Sequence, residues 1–115
     1  MSGHKKPQPV NVLMSRAIDM AALVNYQDGA VVSKTVMAKK TGTVTLFAFD
    51  KGQGLSTHSA PFDALVQILD GEARITIAGK PLKVGDGEMV IMPANKPHSL
   101  KALKPFKMML VMVKS

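Results

Sequence analysis

The chain has 115 residues, a hydrophobic content of 46% and a formal net charge of +7, which suits one domain with one packed core. It contains no cysteine, so disulfides and thiolate metal ligands are excluded. Its apolar runs are too short to span a bilayer, and its lysines are scattered rather than arranged on one face with aromatic residues. These features argue against membrane and nucleic-acid partners and lead us to expect a cytoplasmic protein.

The first ten residues are polar and basic and include two prolines. We predict that residues 1–10 form a flexible arm and that residues 11–115 form a single domain. A first strand is expected to begin within residues 11–18. The good helix formers that follow Asp19 predict one short helical turn, which ends near Val24.

After the turn signal formed by Asp28 and Gly29, short segments rich in β-branched residues alternate with turns. The predicted strands span residues 30–38, 43–49, 56–59, 64–69, 73–78, 82–83, 88–92, 99–103 and 106–113. Many short strands at regular spacing, with almost no helix, predict an all-β, antiparallel sandwich or barrel.

Residues 64–69 and 108–113 are apolar at nearly every position, so both faces of these two predicted strands are apolar. One face of a barrel strand packs on the core, and an apolar outer face must be covered by something else. We expect that a second copy of the chain covers it and that the protein is a homodimer.

Two further segments each have the pattern of a strand, a corner and a second strand. The first contains Gly52, His58 and Gly71, and the second contains Gly87, Pro93 and His98. At these spacings the segments resemble the two signature motifs of the cupin superfamily, and the resemblance extends over residues 31–113. Asn95 stands where the second motif has a glycine, and asparagine tolerates the left-handed backbone that a glycine would supply. The resemblance implies a double-stranded β-helix, or jelly-roll, barrel whose pocket often holds a metal ion.

The metal sites of cupins use three histidines and one glutamate, or four histidines. At those positions this chain has His58, Ala60, Ala64 and His98. The resemblance therefore implies that the two histidines meet in one pocket, as ligands of a divalent ion (Mn, Fe, Ni or Zn) or as polar groups that orient an organic ligand. Two imidazoles alone bind a divalent ion weakly, since first-row metals take about three to six donors.

Asp63 and Gln67 are candidates for completing this site. If the side chains of the strand at residues 64–69 alternate between the two faces as they do in the family, Ala64 lines the barrel, and Asp63 and Gln67 face away. A bulge at residues 61–62 would shift the register by one and turn both side chains inward beside His58.

Met92 is a further candidate for the ligand pocket, because methionine adapts to irregular cavities. Two hypotheses on function follow. In the first, the barrel binds a small molecule in its pocket, either directly or through a reduced divalent-metal site. In the second, the protein is a metal-dependent enzyme of the dioxygenase or isomerase type that acts on a small organic substrate. The residues leave open whether the chain is an enzyme, because a fold does not determine a function.

Overall fold

The computed structural model describes residues 13–114. Over this range a short 3-10 helix (Met20–Leu23) precedes nine strands. The strands are β1 (Val31–Lys39), β2 (Gly42–Phe49), β3 (Gly54–His58), β4 (Ala64–Asp70), β5 (Glu72–Ile77), β6 (Lys80–Gly85), β7 (Met89–Met92), β8 (His98–Ala102) and β9 (Phe106–Val113). Each strand end lies within two residues of its predicted position, and the short helical turn after Asp19 is confirmed. No helix within residues 13–114 is long and apolar enough to cross a membrane.

The nine strands form two sheets that enclose one core. The five-stranded sheet has the order β1-β2-β9-β4-β7, and the four-stranded sheet has the order β3-β8-β5-β6. Every pairing within the two sheets is antiparallel. The predicted all-β, antiparallel jelly-roll fold is therefore confirmed.

Burial along β4 follows the two-residue period of a strand. Ala64, Val66 and Ile68 are buried between the sheets, whereas Leu65 and Gln67 are only partly covered on the opposite, outer face. The pairing of β4 with its neighbours is regular from Ala64 to Ile68, and the register shifts only between Ile68 and Asp70. The side chains of β4 therefore alternate as the cupin motif implies. This alternation decides which of them can reach the barrel interior.

Two corners of the motifs require a left-handed backbone. Gly71, between β4 and β5, has a φ of +86°, and a Cβ at this position would lie 1.9 Å from the carbonyl oxygen of Pro105. Glycine is therefore needed there both for its backbone angle and for its size. Asn95 has a φ of +66°, which confirms that asparagine adopts the conformation expected at this corner.

The segment before β1 covers part of the outer face of the five-stranded sheet. Val24 is only 2% exposed and packs with Leu46 and Ala48 of β2, and Met109 of β9 borders the same cluster. Part of the outer apolar surface, for which the sequence predicted a second copy, is thus covered by the chain itself.

Two polar contacts hold this segment on the sheet. The hydroxyl of Tyr26 donates a hydrogen bond to Oδ2 of Asp70 at 2.5 Å, and Nζ of Lys107 donates one to the carbonyl oxygen of Ala21 at 2.7 Å. The first strand expected in residues 11–18 is absent from residues 13–18, which contain a turn and a bend instead. The arm predicted for residues 1–10 lies outside the described residues.

Candidate functional site

His58 and His98 lie opposite each other on the neighbouring strands β3 and β8. Leu55 pairs with Leu100 and His58 pairs with His98, so β3 has one more residue than β8 between the two pairs. This β-bulge changes the alternation of β3 and brings His58 to the same face as Leu55. The centroids of the two imidazole rings are 4.5 Å apart, with an interplanar angle of 72°. The structure therefore brings both histidines into one site.

The backbone fixes the orientation of both imidazole rings. Nδ1 of His58 lies 2.7 Å from the carbonyl oxygen of Ser56, and Nδ1 of His98 lies 3.2 Å from that of Lys96. A carbonyl oxygen can only accept a hydrogen bond, so each Nδ1 carries a proton and donates it. In the neutral rings each Nε2 therefore keeps a lone pair, which can accept a hydrogen bond or bind a metal ion.

A pocket of about 60 Å³ lies beside the two rings. The histidines supply the polar side chains of its lining, and the rest consists of three leucines, two alanines and three methionines, one of which is Met92. Sites for drug-sized ligands usually measure about 300–1,000 Å³. This pocket therefore has room for a group of a few atoms rather than for a whole metabolite.

The two histidines differ in environment. His98 is 5% exposed, whereas His58 is exposed at the rim of the pocket. Burial, followed by the neighbouring charge of His58, lowers the pKa of His98. His98 is therefore neutral at neutral pH and presents an unprotonated nitrogen to the pocket.

Asp63 and Gln67 do not line this pocket, which corrects the prediction that they belong to it. Oδ1 of Asp63 accepts a hydrogen bond from the backbone nitrogen of Ala94 at 2.8 Å, and so ties the corner before β4 to the corner after β7. Gln67 lies on the outer face of β4. The bulge considered at residues 61–62 occurs instead in β3, where it reorients His58.

The side chains at this site do not fit a divalent ion held by the protein alone. Such ions take about three to six donors, and their protein ligands are mostly imidazole, carboxylate and thiolate groups. Within residues 13–114 no group of three or more histidine, aspartate or glutamate side chains could hold an ion. The pocket lining offers two imidazoles and no carboxylate.

Strand β9 contributes pocket residues that the sequence analysis did not single out. Met108, Leu110 and Met112 alternate along β9 and line the pocket. The alternation was visible in the sequence, but the pairing that places Met112 opposite Ala64 was not. The missing information was therefore the order of the strands in the sheet, rather than the nature of the residues.

Comparison with known proteins identifies the family. A model described as "Cupin domain" matches residues 45–114. A conserved protein of unknown function from Streptococcus pyogenes is 35% identical over 97% of this chain and 98% of its own, with a TM-score of 0.87. A cupin superfamily protein from Desulfitobacterium hafniense has a TM-score of 0.86 at 23% identity, over 96% of this chain and all of its own.

A cupin 2 conserved barrel domain protein from Leptotrichia buccalis is 45% identical over 82% of this chain, with a TM-score of 0.80. The match covers 46% of that protein, so this chain spans about half of its length. No curated protein matches the chain. The family model and the similarity to the Streptococcus protein together show that the chain belongs to the cupin family.

Proposed function

We propose that the protein binds a small molecule whose polar end enters the barrel pocket and forms hydrogen bonds with His58 and His98. One observation carries this proposal: the two rings lie 4.5 Å apart beside an otherwise apolar pocket, and both Nδ1 atoms are already used by the backbone. Small-molecule sites commonly combine an apolar lining with a few polar groups that fix the orientation of the ligand. Two Nε2 atoms are such a pair of polar groups.

The tautomers of the two rings indicate the chemistry of the polar end. Because each neutral Nε2 accepts a hydrogen bond, the ligand should carry a donor, such as a hydroxyl, an amine or a protonated carboxyl group. Because the pocket measures about 60 Å³, only this end and one or two adjoining carbon atoms are enclosed. The remainder of the ligand extends past His58, which is the exposed member of the pair.

Three probes with the same three-carbon chain test the proposal: 1-propanol, propylamine and propionic acid. We expect at least one probe to shift the NMR signals of the ring protons of both histidines and of the methyl group of Met92. Replacing Ala64 by leucine, which fills the pocket, should abolish the shifts, whereas the matched change Ala78→Leu in an exposed turn should preserve them. Shifts that are absent at millimolar probe concentration, or that survive in the Ala64→Leu variant, would contradict the proposal.

The alternative is a metal-dependent enzyme of the dioxygenase or isomerase type. Its chemistry depends on an ion that remains bound through turnover, and the pocket lining, with two imidazoles and no carboxylate, favours the binding function instead. Elemental analysis of protein purified without added metal separates the two functions. One equivalent of Mn, Fe, Ni or Zn per chain would favour the enzyme, and a large deficit would favour the binding protein.

A further inference from the structure

Two methionines lie beside the alanine that occupies the glutamate position of the cupin motif. Ala64 pairs with Met92 of β7 on one side and with Met112 of β9 on the other. Both methionines line the same pocket as His58 and His98. Ala64 lines this pocket too and has a small side chain, and methionine has a flexible side chain that adapts to an irregular cavity.

The pocket therefore brings together two imidazoles and three thioethers, and its lining contains no carboxylate. Met92 and Met112 are the two that pair with Ala64, whereas Met108 lies earlier on β9 and pairs with Ile68. Thioether sulfur is a soft donor that selects Cu(I), whereas harder divalent ions favour oxygen ligands or additional imidazoles. Charge favours the same ion, because burying a doubly charged ion without a counter-charge costs more than burying a singly charged one. The chain also carries a net charge of +7, which adds no compensation for a cation.

From this set of donors, the geometry points to a Cu(I) site in which Nε2 of His58, Nε2 of His98 and the thioether sulfurs of Met92 and Met112 bind the ion. The site differs from the family pattern in its ligands, since sulfur donors stand beside the position where cupins have a carboxylate. The inference shares its pocket with the proposed function and relies on the same pair of histidines, but it does not require an organic ligand.

The outer face of the same sheet provides a matched control. Met89 and Met109 occur on β7 and β9, as Met92 and Met112 do, but they lie on the opposite face. Replacing methionine by leucine nearly conserves volume and usually costs less than about 1.5 kcal/mol, so both pairs of variants should fold. The inner pair, Met92→Leu with Met112→Leu, removes the proposed sulfur donors. The outer pair, Met89→Leu with Met109→Leu, changes the composition equally without touching the pocket.

The test measures Cu(I) transfer from its bicinchoninate complex without oxygen and with ascorbate present. The chain has a third histidine, His4, which lies outside the described residues. All proteins carry His4→Ala, so that its imidazole cannot contribute. We expect the parent protein to withdraw one Cu(I) per chain and to bind it more tightly than Zn(II). The inner pair should weaken Cu(I) binding at least about tenfold, and the outer pair should leave it unchanged. X-ray absorption of the copper complex should show sulfur scattering in the parent and the outer pair, and none in the inner pair.

Three results would overturn the inference: no withdrawal of Cu(I) by the parent, equal Cu(I) affinity in both methionine pairs, or a copper complex without sulfur scattering. The experiment with propyl probes, run without copper, keeps the two proposals distinguishable. Probe shifts without copper binding would leave the small-molecule function standing and reject the copper site. Copper binding without probe shifts would leave the copper site standing and reject the small-molecule function.

Discussion

His58 and His98 form a pair in which one member is exposed and the other is buried, with their ring centroids 4.5 Å apart. The exposed ring belongs to β3, an edge strand, and reaches the pocket only because a bulge reorients it. The buried ring belongs to β8, which is paired on both sides. The two rings share one pocket but contribute unequally to the stability of the barrel.

This asymmetry predicts different costs of truncation. His58→Ala should change the free energy of unfolding by no more than about 0.5 kcal/mol, because an exposed side chain leaves no cavity. His98→Ala removes a side chain that is 5% exposed and should cost about 1–3 kcal/mol. Urea denaturation measures both values. Equal costs would mean that the burial of His98 does not contribute to folding.

The lowered pKa of His98 predicts a pH dependence of stability. An unperturbed histidine titrates near 6.5, and burial followed by the charge of His58 moves the folded-state value of His98 below this. Between the two values the unfolded chain binds more protons than the folded one, so the free energy of unfolding should decrease as the pH falls through this window. Above about pH 6.5 the contribution of His98 should be complete.

An NMR titration of the ring protons is the direct measurement of this shift. We expect the midpoint of His98 to lie below 6.5, and we expect His98→Gln to reduce the loss of stability within the same pH window. A midpoint at or above 6.5 would contradict the environment described for this ring.

The fold was predictable from the sequence because its determinants are local. β-branched residues, turn residues and the two motif corners place all nine strands, and Asn95 adopts the backbone angle expected of it. The site was less predictable because it depends on register. Whether Asp63 faces the pocket and how His58 reaches it were decided by the position of a single bulge, and no residue type in β3 specifies where that bulge occurs.

Strand order was the second feature that the sequence did not reveal. The pairing of β4 with β9 brings Met112 beside Ala64 across more than forty residues of chain. The sequence also did not reveal that the chain itself covers part of the outer face, because the packing of Val24 on Leu46 and Ala48 is a long-range contact of a segment with weak local preferences.

Removal of divalent metals should have little effect on this protein. The pocket offers two imidazoles and no carboxylate, so any Mn, Fe, Ni or Zn should bind weakly and should not support the fold. Dialysis against EDTA should leave the thermal midpoint unchanged, and His58→Ala should abolish whatever Ni or Zn binding calorimetry detects. A marked drop of the midpoint after dialysis would show that a tightly bound ion stabilises the barrel.

We propose that the chain forms a homodimer through the part of the outer face that residues 13–30 leave uncovered. Across four strands of the five-stranded sheet, the aligned outward side chains of this part are Val44, Val111, Leu65 and Ile91. Around them Met37 is 47% exposed and Val113 is 55% exposed. Contiguous apolar surface of this kind usually marks an interface. Light scattering at micromolar concentration should therefore give twice the chain mass of 12.3 kDa.

A matched pair of double variants locates this interface. Met37→Lys with Val113→Lys places two charges on the proposed face and should yield monomers, because an unpaired charge is costly to bury. Val31→Lys with Leu82→Lys adds the same charge at exposed positions elsewhere and should remain dimeric. A monomeric parent protein, or a dimer that survives the first pair of changes, would refute the proposed interface.

Gly71 and Gly79 allow backbone strain to be separated from steric overlap. Both have a left-handed backbone, with φ of +86° and +81°, but a Cβ on Gly71 would lie 1.9 Å from the carbonyl oxygen of Pro105, whereas one on Gly79 would have nothing within 4 Å. Gly79→Ala should cost about 1–2 kcal/mol, which is the strain of an L-residue in this region. Gly71→Ala should cost at least about 3 kcal/mol, because the connection before Phe106 would have to move away from the β4–β5 corner. Urea denaturation of the two variants gives the difference, and equal costs would show that this corner can open without penalty.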